Sequence, residues 1–246
     1  MNRYIAIMAG GIGSRFWPSS TTDRPKQFLD ILGVGKSLIR MTFERVLPLC
    51  PPDRIMILTN KRYKALVMEH LPEVPESNIL CEPSMNNTAP CIAYMALKIS
   101  QKDPEASFAV LPSDHIILKE DAYRHKLEQA FAFAEHHDAL VTLGISPTRP
   151  DTGYGYIKYH KDAVQEGIYK VGAFKEKPDS QTAQQYLDSG QYLWNAGMFV
   201  WSIRSILSSF AQNAPEIIDV LSQNLASFNT MQEQEYIDEV YPKTNN

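Results

Sequence analysis

Residues 4–18 constrain this chain more than any other stretch. Tyr4-Ile-Ala-Ile-Met8 is a short apolar run rich in strand formers, and it breaks at once into Gly10, Gly11 and Gly13. A buried strand feeding a glycine-rich loop is how α/β proteins turn backbone N–H groups toward phosphate. Arg15, just beyond, offers a planar and permanently charged fork that matches phosphate oxygens. Arg24-Pro25-Lys26 adds two more cations, with Pro25 stiffening the backbone ahead of Lys26. The plain alternative is a tight turn with a solvated arginine. The flanking cations favour phosphate.

Spacing removes two familiar phosphate motifs. The dinucleotide fingerprint needs a third small residue, yet Gly11-Ile-Gly13-Ser-Arg-Phe16 puts a phenylalanine there. Gly33-Val-Gly35-Lys36-Ser37 ends like a Walker A loop, but Asp30 stands where that pattern needs its first glycine. This second stretch reads as a turn into a helix capped by Ser37. A kinase or NTPase acting through Lys36 is therefore the rival from another class. What remains is G-G-x-G-x-R followed by P-K.

From Arg54 to about residue 150, apolar strands alternate with helices. Strands are expected near Arg54–Leu58, Asn78–Cys81, Ser107–Leu111 and Ala139–Leu143, with helices from Ser37, Lys61, Thr88 and Glu120. That rhythm predicts an α/β fold: a Rossmann-like mixed, mainly parallel sheet flanked by helices. Beyond residue 150 come aromatic-rich strands near Tyr154–Tyr159, Tyr169–Phe174 and Met198–Trp201, then a helical stretch from Ile203 to Tyr241. No linker or repeat interrupts the sequence. We expect one domain with two lobes, at about 1–145 and about 146–246.

Composition bounds the partners. A formal net charge of −4 over 246 residues gives no general basic field, so nucleic acid is not an expected partner. No apolar run approaches the roughly 18 residues of a membrane span. The odd cysteine count (Cys50, Cys81 and Cys91) without metal-ligand spacing reads as reduced thiols in a cytoplasmic protein.

Ligands of open α/β sheets lie at the carboxyl ends of strands. The glycine loop, Glu82-Pro83 and Pro112-Ser-Asp-His115 all follow strands, so they should share one rim. Asp114 could hold a hydrated Mg²⁺ beside phosphates or cap a turn; the residues themselves leave both open. His115 has no second histidine nearby and reads as a packing or hydrogen-bonding residue. Asn86-Asn87-Thr88-Ala89-Pro90 couples amide side chains, suited to the edges of a base, with a helix start that Thr88 could cap. Glu176 and Lys177 should diverge across a strand end closed by Pro178, either as a surface charge pair or as contacts to a sugar phosphate.

Gly10-Gly-Ile-Gly-Ser-Arg-Phe-Trp-Pro18 with Pro25-Lys-Gln-Phe28 resembles the signature of the sugar-nucleotide pyrophosphorylases, in the mannose-1-phosphate guanylyltransferase branch. Glu82–Pro90, Leu111–His115, Thr152–Ile157, Phe174–Pro178 and Trp194–Phe199 fit the same branch in the same order, over about the whole chain. The resemblance implies the nucleotide-diphospho-sugar transferase fold, with a nucleotide-binding lobe at about 1–145 and a sugar-phosphate lobe at about 146–246. It implies transfer of GMP from GTP to α-D-mannose 1-phosphate, giving GDP-mannose and pyrophosphate with Mg²⁺. It gives catalytic roles to Arg15 and Lys26, and nucleotide contacts to Ala9, Gly10, Gly11, Gly13, Ser14, Arg15, Asn87, Ala89 and Asp114. Asp114 is also the implied metal ligand. Gly155, Glu176, Lys177 and Asn195 are the implied sugar-phosphate contacts, with Ala196 standing where serine is common. A homodimer is compatible with the pattern. Relatives bear a second metal aspartate in an Asp-x-Gly-x-Trp motif that this sequence lacks, so a truncated C-terminus is expected. Within the class, the rivals are a different base or hexose, and a fragment that binds the sugar nucleotide without catalysis.

Overall fold

The near-continuous apolar strands of the first half are buried on both faces, which is the environment of a parallel sheet. In the computed structural model, which describes residues 2–11 and 16–244, the elements run as follows. Strand β1 (Arg3–Met8), helix α1 (Leu38–Val46), β2 (Ile55–Asn60), α2 (Lys64–His70), β3 (Ile79–Glu82), α3 (Thr88–Ser100), β4 (Ser107–Pro112) and α4 (Glu120–His136) make up the first half. Then come β5 (Val141–Ile145), β6 (Tyr156–Gln165), β7 (Ile168–Lys175), α5 (Ser180–Ser189), β8 (Tyr192–Ser202), α6 (Ile203–Asn213), α7 (Pro215–Leu221) and α8 (Glu233–Val240). Two compact units result: residues 1–141 with 199–246, and residues 142–198.

In the first unit β3, β2, β1 and β4 lie side by side and parallel, with Leu58 opposite Leu80, Ile5 opposite Ile55 and Ile5 opposite Ala109. The end of β8 adds an antiparallel edge, Trp201 facing Phe108, so the sheet is mixed and mainly parallel. From β1 the chain steps outward through β2 and β3, then returns to the other side of β1 as β4. Such a reversal opens a crevice at the carboxyl ends of the two strands that flank it.

Helix α3 is buried along almost its whole length. One side meets the sheet; Ile206, Phe210, Ile217, Leu221, Phe228, Ile237 and Tyr241 join it in one core cluster. This corrects the lobe assignment read from the sequence. Residues 199–246 group with the first unit rather than with a sugar-phosphate lobe, and the boundary falls at 141/142. The reason is the apolar circumference of α3, which needs a second layer that only these C-terminal helices supply. Two polar ties reinforce the packing. Lys98 Nζ and the Tyr94 hydroxyl donate to the Glu233 carboxylate at 2.5 and 2.6 Å, and Asn86 Nδ2 reaches the carbonyls of Tyr241 and Thr244 at 3.0 and 2.9 Å.

The Gly33–Ser37 stretch is no phosphate loop. The Asp30 carboxylate already accepts the N–H groups of Val34 and Gly35, at 3.0 and 2.7 Å, and Lys36 pairs with Glu44 at 2.7 Å. Ser37 caps α1, accepting from the Arg40 N–H, as its sequence suggests.

The second unit is antiparallel: β6 pairs β7 on one side and the start of β8 on the other, while β5 also pairs β8. Its buried cluster is Tyr156, Ala183 and Trp194, with Tyr186 and Tyr192 packed against it. Among the described residues no helix is long and apolar enough to cross a membrane.

Candidate active site

Strand β1 delivers the glycine loop at its carboxyl end. Ala9 is fully buried, its N–H donating to the Leu58 carbonyl at 2.7 Å. Its own carbonyl accepts from Gln27 Nε2 at 2.9 Å and from Thr59 Oγ1 at 3.1 Å. The same Gln27 amide donates to the Gly11 carbonyl at 2.9 Å. One buried amide thus pins two loop carbonyls and fixes the path of the backbone between them. Sequence reading passed over Gln27; its position directly after Pro25-Lys26 was the available signal. Gly10 sits close to Glu82: a Cβ there would lie 3.3 Å from Oε2. Gly13, Ser14 and Arg15 lie outside the described residues.

Strand β4 delivers Asp114 to the same end of the sheet, next to β1. Lys26 Nζ donates to Asp114 Oδ2 at 3.2 Å and lies 4.6 Å from the centre of the Phe16 ring. The two side chains retain 22% and 40% of their exposure, so the pair is solvated and contributes under about 1 kcal/mol. An incoming polyanion can separate it at little cost. His115 Nε2 stands 4.0 Å from Asp114 Oδ1. Burial pushes its imidazole below the usual range, and the neighbouring Lys26 and Arg45 charges act the same way against the pull of Asp114. A neutral His115 agrees with the packing role read from the sequence.

At the end of β3, Glu82 completes this rim. Burial raises its carboxyl to about 6, opposed by the hydrogen bond that the Tyr241 hydroxyl donates to Oε1. Oε2 faces Gly10. Four residues on, Asn86 is buried and spent on Tyr241 and Thr244, so it is no base contact. Asn87 is exposed and holds φ 61°, ψ −165°, a region that costs a non-glycine residue about 1–3 kcal/mol. Thr88 does not cap α3. Asn87 occupies the cap position, no side chain bonds the first amides, and Ala89 is exposed in the first turn. The first turn of α3 therefore starts without a side-chain cap.

In the second unit, the pairing of β6 sets the sugar-phosphate candidates in one row. Tyr156 lies opposite Lys175 on one neighbour and Trp194 on the other. Gly155 comes just before β6, Glu176 just after β7, and Asn195 is the next residue of β8. The Asn195 N–H donates to the Gly155 carbonyl at 2.8 Å, and a Cβ at Gly155 would press on the Lys175 carbonyl at 3.3 Å. Asn195 Oδ1 accepts from the Gly197 N–H at 3.0 Å. Glu176 and Lys177 stand differently from expectation: β7 ends at Lys175, so both lie beyond the strand in exposed chain before α5. Their divergence is not set by strand alternation. Neither side chain has an ion pair among the described residues.

The pinned glycine backbone, Lys26 and Asp114 stand at the carboxyl ends of β1 and β4, where open α/β sheets hold their ligands. The family model described as nucleotidyl transferase matches residues 5–239, and the chain belongs to that family. It is 41% identical over 215 residues to the xanthan biosynthesis protein XanB of Xanthomonas campestris pv. campestris, covering 87% of this chain and 45% of that protein. It is 37% identical over 232 residues to the mannose-1-phosphate guanylyltransferase of Escherichia coli, covering 91% and 48%. The chain therefore spans about half the length of these curated relatives. A crystal structure described as a mannose-1-phosphate geranyltransferase from Thermus thermophilus superposes with a TM-score of 0.88 at 32% identity, over 100% of this chain and 68% of that one.

Proposed function

We propose that the chain carries the site for transfer of GMP from GTP to α-D-mannose 1-phosphate, releasing pyrophosphate. The observation that carries the reading is the Lys26–Asp114 pair, at 3.2 Å, on the β1/β4 rim beside the glycine loop. A sugar-phosphate oxygen forms the new bond to the α-phosphorus, and the bond from that phosphorus to the bridging oxygen breaks with its electrons leaving on pyrophosphate. No covalent enzyme intermediate is needed, so positioning and charge neutralisation are the main demands on the protein. Lys26, with Arg15, neutralises the triphosphate. The pinned 9–11 backbone presents its edge to the phosphates. Gly155, Glu176, Lys177 and Asn195 serve the hexose phosphate, with Asn195 and Glu176 as hydroxyl partners and Lys177 as counter-charge to the attacking phosphate. The preference for guanine over other bases rests on the likeness to mannose-1-phosphate guanylyltransferases.

The fit to Mg²⁺ rests on Asp114. No cluster of three or more acidic, histidine or cysteine side chains gathers among the described residues. A single exposed carboxylate suits a Mg²⁺ that keeps several waters and shares nucleotide phosphates. Bound there, the ion would neutralise charge on the phosphate oxygens.

The test is GDP-mannose synthesis from GTP, run against ATP, UTP and dTTP and against other hexose 1-phosphates, for this chain and for a form extended at its C-terminus. Asp114→Asn belongs in the same panel. The reading stands if GTP with mannose 1-phosphate is preferred and Asp114→Asn loses metal-dependent turnover. It falls if another pair is used faster, or if the variant matches the parent.

A further inference from the structure

Helix α1 carries two buried polar side chains one turn apart, Thr42 and Arg45, on the face turned to the β4 rim. Neither was singled out by its sequence, and neither reaches the glycine loop. Each donates to a backbone carbonyl, and the two carbonyls belong to the residues on either side of Asp114. Thr42 Oγ1 donates to the Ser113 carbonyl at 3.2 Å, and Arg45 Nη2 to the His115 carbonyl at 3.4 Å. The peptide that bears Asp114 is thus bracketed from one helix. The guanidinium keeps only 1% of its exposure, and its one carboxylate partner, Glu120 at 3.3 Å, is 39% exposed.

A buried arginine held by one half-solvated carboxylate is an uneconomical way to stabilise a helix, because desolvation of the charge offsets most of the attraction. An apolar residue of similar volume would pack α1 against α4 as well. What an apolar residue cannot do is donate to the His115 carbonyl. The same argument holds for Thr42, whose methyl would serve the packing of α1 while its hydroxyl serves Ser113.

We infer that Thr42 and Arg45 are positioning residues that fix the Asp114 carboxylate for the metal-bearing nucleotide. The inference rests on the reading of Asp114 given above. Groups that orient a ligating carboxylate from behind carry a large share of metal affinity, and their loss costs about 10–100-fold. Divalent ion recruitment should therefore fall about tenfold in Thr42→Val, which keeps shape and loses the donor, and in Arg45→Met, while Thr42→Ser restores it.

The measurement is Mn²⁺ affinity of the GTP-bound protein by electron paramagnetic resonance, with Mn²⁺ standing for Mg²⁺, in the parent and in an Asp114→Asn background. Thermal unfolding of every variant runs alongside. The expected result is a loss of about tenfold for Thr42→Val and for Arg45→Met in the parent, rescue by Thr42→Ser, and no further loss once Asp114 is an asparagine. Losses of equal size in both backgrounds would overturn the inference, since the two residues would then act without Asp114. So would an unchanged affinity in the parent background, with Thr42→Val folded by its melting curve. If Asp114→Asn alone leaves Mn²⁺ affinity untouched, the metal reading fails and takes the inference with it. If Asp114→Asn weakens binding while the α1 variants do not, the inference alone fails.

Discussion

At the scale of single residues, charge and backbone divide the work. Lys26 meets Asp114 through solvent-exposed atoms, so its contribution lies in what it does to a bound triphosphate rather than in stability. Lys26→Ala should leave the melting temperature nearly unchanged and lower kcat/KM by about 10² or more, as loss of a preorganised charge on a developing anion does. Near-parental turnover would remove it from the mechanism. Glu82 behaves in the opposite sense. Burial lifts its carboxyl from 4.5 to about 6, so the folded protein binds this proton more tightly than the unfolded chain. Stability then declines as pH rises from about 4.5 to 6 and stays lowered above, by at most about 2 kcal/mol. Glu82→Gln should therefore stabilise the protein at pH 7 and change little at pH 4. Denaturant melts at both pH values decide it; an equal effect at each would show that the carboxylate does not titrate in this window. Lys26 and Asp114 were legible in the sequence because their residue types and places after strands suffice. Gln27 and Glu82 were not, because their roles depend on a carbonyl many residues away and on burial.

At the scale of elements, the first parallel strands were readable because β1, β2 and β4 are apolar and buried on both faces. The helix from Thr88 was read at its right start, but its cap was not. Thr88 looks like a cap, but Asn87 takes the cap position with a positive φ, and the neighbouring Asn86 is tied to Tyr241 and Thr244. No local pattern encodes a bond across more than 150 residues. The same blindness hid the partner of α3. Lys98 is buried in it, its ammonium pressed below the usual range by that burial against the attraction of Glu233. Removing the cation alone leaves Glu233 buried beside Tyr94 and the Asn229 N–H. Lys98→Met should cost about 3–5 kcal/mol in chemical denaturation, the range for one partner lost from a buried pair. Lys98→Met with Glu233→Leu should recover most of it. A single variant as stable as the parent would mean that α8 is not anchored through this pair.

At the scale of the whole molecule, the two units differ in how they are held. In the first, β1, β2 and β4 are buried along their length and lie under a continuous layer of apolar helices. In the second, β7 is mostly exposed, the β6–β7 register shifts at three places, and the buried cluster is Tyr156, Ala183 and Trp194. A division into lobes was legible from the change in strand character near residue 150, yet its membership was not, because residues 199–246 follow the aromatic strands in sequence and join the first unit in space. Few buried apolar contacts and many solvated backbone bonds mark a region that opens at low cost. Ligand-handling segments are drawn from that end of the scale, and the hexose candidates Gly155, Glu176, Lys177 and Asn195 all belong to this unit. Native-state hydrogen exchange should therefore resolve two classes of amide. Those of Ile5–Ile7 and Ala109–Leu111 should exchange only through global unfolding, while those of Tyr156–Tyr159 and Val171–Phe174 should exchange at least about tenfold faster through local opening. Mannose 1-phosphate, added with GTP, should slow the second class and leave the first unchanged. Uniform protection would show that the second unit draws its stability from more than its own small core, and protection confined to the first class would place the hexose elsewhere.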